Sequence, residues 1–150
     1  MNELQTIRNY IISLFQSDEF VHTITTLKDE LVDTNKETIY PVVNCEYTST
    51  DVKEDIIVVS YSIKVLDQLD IYTTTTDSKL LTDTNEQDIM NETFAICQNF
   101  INSFRKYNKF NIEILSVTEL NPIKNENLNG LSGHEFDVVL TIPNIGSSCQ

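Results

Sequence analysis

Residues 85–109 read NEQDIMNETFAICQNFINSFRKYNK, and this stretch decides the fold. Ile89, Thr93, Ile96, Phe100, Phe104 and Tyr107 recur at spacings of three and four, and Ala95, Cys97 and Ile101 widen the stripe. Such spacing gathers them on one side of an α-helix. Gln87, Asn91, Gln98, Asn102 and Lys106 fall on the opposite edge. Thr84 followed three residues later by Gln87 has the form of a capping box, and Asn85 with Asp88 offers an overlapping alternative. Glu86, Asp88 and Glu92 place negative charge near the start, while Arg105, Lys106 and Lys109 place positive charge at the end. Both ends then complement the helix macrodipole. A helix of about 20 residues runs roughly 30 Å, enough to cross a four-stranded sheet. The stretch predicts a long amphipathic helix with one buried face and no catalytic residue.

Working outward, Leu4, Ile7, Ile11, Leu14 and Phe15 lie on one helical face over residues 2–16, bordered by Tyr10 and Ile12. The β-branched run Val21, Thr23, Ile24, Thr25, Thr26 predicts a short strand within 20–27. Residues 28–37 are charged and turn-like, and a strand follows over 39–48, with Pro41 at its start or on an edge. Residues 49–55 read as a turn. A long alternating strand over 55–69 puts Ile57, Val59, Tyr61, Ile63 and Val65 on the core face. Its other face carries Ser60, Ser62 and Lys64, together with Ile56 and Val58. That second face is apolar only at its beginning, which marks Ile56 and Val58 as candidate subunit-contact residues. Residues 70–84, with four consecutive threonines, form a long connection that either extends the hairpin or hangs as a loop.

Beyond the long helix, residues 110–120 alternate, with Ile112 and Ile114 on one side and Leu115 and Val117 on the other. Residues 121–133 read as a turn-rich loop. Over 134–143, Phe136, Val138, Leu140 and Ile142 face in while Glu135, Asp137 and Thr141 face out, and 144–150 is a tail. The expected fold is a single α+β domain over 1–150. It has a mainly antiparallel four- to five-stranded sheet, packed on one face by the N-terminal helix and the long central helix.

Ten basic against 23 acidic residues give a net charge of −13, which argues against a phosphate-backbone binder. No apolar run is long enough to span a bilayer, so no membrane partner is expected. The opening MNELQTIRNY lacks a hydrophobic block with a small-residue cleavage site, so synthesis in the cytoplasm is the expectation. Cys45, Cys97 and Cys149 are odd in number, far apart and without nearby histidines, which disfavours metal sites and a disulfide framework. Cys45 and Cys97 read as buried free thiols and Cys149 as exposed.

Catalytic chemistry is sparse. His22 and His134 sit in separate strand-like segments and read as two unrelated polar positions more readily than as a dyad. No GxSxG, HExxH, P-loop or GxGxxG occurs, and three glycines (Gly130, Gly133, Gly146) cannot build a phosphate-cradling loop. Asp51, Glu54 and Asp55, like Asp29, Glu30 and Asp33, read as solvated turns without EF-hand spacing. The expectation is no enzyme, no catalytic residue, no metal and no cofactor.

Several local signatures stand in a suggestive order: FVHTIT at 20–25, IYPVV at 39–43, the long strand at 56–68, NET at 91–93 entering the main helix, and FDVVLTIPN at 136–144 with Cys149 beyond it. In these the chain resembles the tail terminator and tail-completion proteins of bacteriophages, most closely versions from phages of Bacteroidetes bacteria, including crAss-like phages. It departs from them at 70–84, where the connection is longer and Thr-rich. The resemblance implies a virion structural protein made in the host cytoplasm, a ring-forming subunit at the head–tail junction that joins tail to head and lines the DNA path. It implies six self-associated copies, with twelve as the alternative beside a portal ring. It further implies contacts with neighbouring neck, portal-side and tail proteins, DNA passing without specific binding, and no cofactor or catalysis. Two other classes compete: an acidic host-directed inhibitor or DNA mimic, suggested by the charge of −13, and a small enzyme or ligand-binding domain, supported only by the two histidines.

Overall fold

A computed structural model of the protein describes residues 3–26, 40–68, 71–73, 82–84, 86–106, 111–126 and 130–144. Helix α1 spans Glu3–Gln16 and helix α2 spans Glu86–Lys106. Strands β1 (Thr23–Thr25), β2 (Val42–Val52), β3 (Ile56–Gln68), β4 (Ile71–Thr73) and β5 (Thr82–Thr84) lie between the helices. Strands β6 (Glu113–Val117), β7 (Asn121–Glu126) and β8 (Leu131–Pro143) follow α2. The expectations for 28–37, for Asp29, Glu30 and Asp33, and for Ile39, Asn85, Tyr107, Lys109, Gly146 and Cys149 lie outside the described residues.

The predicted apolar stripe of α2 is its buried face: Ile89, Thr93, Ile96, Cys97, Phe100 and Phe104 are buried. Thr84 closes β5 and α2 begins at Glu86, with Asn85 of the overlapping capping alternative outside the described residues. In α1 the buried residues are Ile7, Tyr10, Ile11 and Phe15. Tyr10, expected at the border, is core, because its ring packs edge-on against Phe104 at 5.0 Å. The helix stops where Ser17 turns its hydroxyl onto the Leu14 carbonyl and the Asp18 carboxylate accepts from the Phe20 amide.

The fold class is α+β, and the main sheet has six strands in the order β1-β2-β3-β8-β6, with β7 also paired to β8. Every pairing in it is antiparallel except β1 with β2, so the sheet is mixed. Both helices cover one face, where Cys45, Val59, Ile63, Val65, Phe136 and Leu140 join their apolar residues in the core. Val42, Leu66, Ile123 and Leu131 form a second, smaller buried group, with Tyr40 against it. Their register parity puts them on the face opposite the helices.

Several expectations change. Residues 49–52 continue β2, and the reversal is confined to 53–55, where the Lys53 amide donates to the Ile56 carbonyl at 2.9 Å. Within the expected loop, 121–126 are β7 and 131–133 open β8, and this adds the strand that the four- to five-stranded expectation lacks. β6 and β7 run along the same side of β8. At the break between them the Thr118 amide donates to the Asp137 carbonyl at 3.0 Å, and the Asp137 amide donates to Thr118 Oγ1 at 2.8 Å. The predicted pairing of Leu115 with Val117 on one side fails at a β-bulge: Ile114 faces Leu140, Ser116 faces Val139 and Val117 faces Val138. The extra residue reverses parity, so Ile114 and Val117 pack on the core and Leu115 is left 63% exposed. A second bulge between Tyr47 and Ser49 does the same in β2. Of the Thr-rich connection, β4 and β5 pair as a separate antiparallel ribbon, and 74–81 lie outside the described residues. Pro41 stands just before β2 after a cis bond from Tyr40, with its carbonyl accepting from the His22 and Thr23 amides.

Gly133 lies between Leu66 of β3 and Ile123 of β7. A Cβ there would stand 1.8 Å from the Val65 carbonyl oxygen, so β3 and β8 can approach only with hydrogen at this position. Gly133→Ala is expected to destabilise the fold by about 1–3 kcal/mol, as other overpacked sites do. Phe100→Ala, which empties the centre of the core, is expected to lose about 3–5 kcal/mol. Denaturant melts of both variants measure this, and a loss below about 1 kcal/mol for Phe100→Ala would mean that the helix face is not core.

Candidate functional site

The sheet face away from the helices displays alternate residues of β2, β3, β8 and β6. Both candidate contact residues stand there, at the end where β3 begins. Ile56 sits across from Pro143, and Val58 lies between Asp51 on β2 and Thr141 on β8. Both are half-buried. One row further, Ser60 is flanked by Ser49 and Val139, and Ser62 by Asp137. Lys64, paired with Glu135 at 3.6 Å, separates this open region from the second buried group. The result is a small apolar strip edged by exposed Asp51 and Asp137.

The histidines belong to the helix face. Thr93 occupies a position in the apolar stripe of α2 and is fully buried. Its hydroxyl donates to the Ile89 carbonyl at 2.7 Å and lies 2.8 Å from His134 Nδ1. A hydroxyl has one proton, so with that proton on Ile89 the histidine must donate, which assigns the Nδ1–H tautomer and leaves Nε2 as an acceptor. The imidazole also meets Phe94 edge-on at 6.1 Å. Burial pushes the His134 pKa below its ordinary 6.5. One residue back along α2, the Glu92 carboxyl is pushed up, first by burial and then by the charges of Asp67, Asp18 and Asp88, against a lowering pull from His22. The fold thus binds His134 to Thr93, while His22 reaches the neighbouring Glu92 only through its charge. Composition could not show this, although a threonine inside an apolar stripe signals that its hydroxyl has somewhere to bond.

The acidic turn is divided. Asp51 belongs to β2, while Glu54 and Asp55 are exposed at the reversal, where the Asp55 carbonyl accepts from the Asn144 amide at 2.9 Å. Among the described residues, no group of three or more His, Cys, Asp and Glu side chains is placed to hold a metal ion. Cys45 and Cys97 are buried free thiols, and burial pushes each pKa up to about 12, which keeps them protonated and unreactive. Among the described residues no helix is long and apolar enough to cross a membrane. The chain matches no family model and no curated protein.

The folded protein binds the His134 proton less tightly than the unfolded chain does. Its contribution to stability is therefore complete above 6.5 and is lost as the pH falls below that value. Glu92 has the opposite sign: its contribution is present below 4.5 and lost as the pH rises through its raised value. His134→Asn, whose side-chain NH2 stands where Nδ1 does and keeps a donor for Thr93, is expected to flatten the loss of stability as the pH falls below 6.5. Denaturant midpoints measured across that range check it, and an unchanged slope would place the titration elsewhere.

Proposed function

We propose that the protein is a virion structural subunit of the phage head–tail junction, a tail-terminator-like ring protein that joins tail to head and surrounds the DNA path. One observation carries the reading: among the described residues both helices cover the same face of the sheet, and the other face ends in the strip of Ile56 and Val58. A subunit whose apolar strip stands half-buried has surface left to give to a neighbour. The element order and the motifs at 20–25, 39–43, 91–93 and 136–144 support the same assignment by resemblance. In this role the chain works by self-association and by docking on neck, portal-side and tail proteins, without cofactor or catalysis. A charge of −13 per copy keeps DNA sliding past without adhesion.

The charge also favours a second reading, an acidic host-directed inhibitor or DNA mimic. A mimic needs its carboxylates in one duplex-like stripe. Here Asp51 and Asp137 stand on the open face, whereas the charges of Asp18, Asp67 and Asp88 act on Glu92 of α2.

Repulsion between copies opposes assembly at low salt, and screening relieves it. Native mass spectrometry across a salt series is expected to show rings of six, or of twelve, forming more readily as salt rises or when the adjoining neck proteins are added. A monomer under every condition, together with absence from purified virions, would overturn the reading.

A further inference from the structure

On the helix side, α1 leaves part of β2 and β3 uncovered. Leu4, Arg8, Tyr47 and Tyr61 line an open hollow of about 540 Å³. Leu4 is 41% exposed and Tyr47 46% exposed. The Tyr47 ring is nonetheless held in place, edge-on to Tyr61 at 5.8 Å and through a hydrogen bond between its hydroxyl and Thr50. A fixed, exposed tyrosine beside an arginine and a leucine has the composition of a binding hot spot, where little side-chain freedom remains to be lost.

Arg8 sets the sign of what can sit there: an apolar surface edged by carboxylate. The chain itself presents one on the opposite face. Val58 and Ile56 are half-buried there, Asp51 lies directly across from Val58 in register, and the lysine of that face is engaged with Glu135. The geometry points to these two patches as the two halves of one contact, the Leu4–Arg8–Tyr47 hollow of one copy receiving the Ile56–Val58 strip of the next, with Arg8 facing Asp51. This contact rests on the ring reading and names the partner of its apolar strip. Patches on opposite faces of one sheet cannot satisfy a two-fold dimer, so copies join head to tail. Like faces do not compete, because two open faces would oppose Asp51 and Asp137 to their own kind.

The test uses two charge-reversal variants, Arg8→Asp and Asp51→Arg, under the salt and partner conditions in which the wild type assembles. Each alone sets like charges across every contact and is expected to weaken association about tenfold or more. Mixed in equal amounts, the two variants offer complementary charges at every contact if copies alternate, so the mixture is expected to recover assembly with even copy number. Circular dichroism checks that each variant is folded. If either is not, Arg8→Gln and Asp51→Asn, read for weakened association, decide in its place. Variants that assemble like the wild type, or a mixture that stays apart, would overturn this contact while leaving the ring reading standing. A wild type that never assembles and is missing from virions would remove both.

Discussion

The structure depends on the packing around one ring. Phe100 of α2 stacks face to face on Phe15 of α1 at 4.4 Å, with 2° between the planes, and meets Phe136 of β8 at 6.0 Å. Phe104 extends the group at 5.8 Å and carries Tyr10 with it. Two helices and the sheet therefore touch within the neighbourhood of a single side chain. Aromatic contacts of this kind add to their area burial through favourable edge and offset geometry, so they fix orientation as well as proximity. The position of α1 follows from it, since the buried ring at the C-terminal end of that helix is Phe15.

Packing both helices on one face leaves the other to find its own solution. At one end it does so internally, through Val42, Leu66, Ile123 and Leu131. At the other, β3 presents Ile56 and Val58 among serines, a threonine and carboxylates. The same asymmetry explains the division of polar chemistry. Thr93 and His134 satisfy each other against the helix, while Asp51 and Asp137 remain exposed on the open side.

What could be read from the sequence was whatever repeats. The stripe of α2 and the alternation of Phe136, Val138, Leu140 and Ile142 are long enough for periodicity to reveal their buried faces. The alternation failed where the backbone inserts a residue, at Ile114/Ser116, because a bulge flips every later side chain without leaving a mark in composition. β7 was hidden by Asn121, Pro122 and Asn125, residues that local propensity assigns to turns but that β8 recruits as an edge. Of the site, the second face of β3 was legible because Ile56 and Val58 break its polar pattern. The hollow beside Tyr47 was not, since it joins residues about forty positions apart through the tertiary fold alone.

β8 is the last of the described elements in sequence, yet it lies inside the sheet, between β3 and the β6–β7 side. During synthesis, β3 must wait with one edge unpaired, and α2 with the Phe136 side of its seat empty, until β8 has left the ribosome. The strand that joins the halves is made after the elements it joins, so their assembly waits on long-range pairing. Until then the β3 edge that β8 will occupy is an open template to which the same edge of a neighbouring nascent chain can pair.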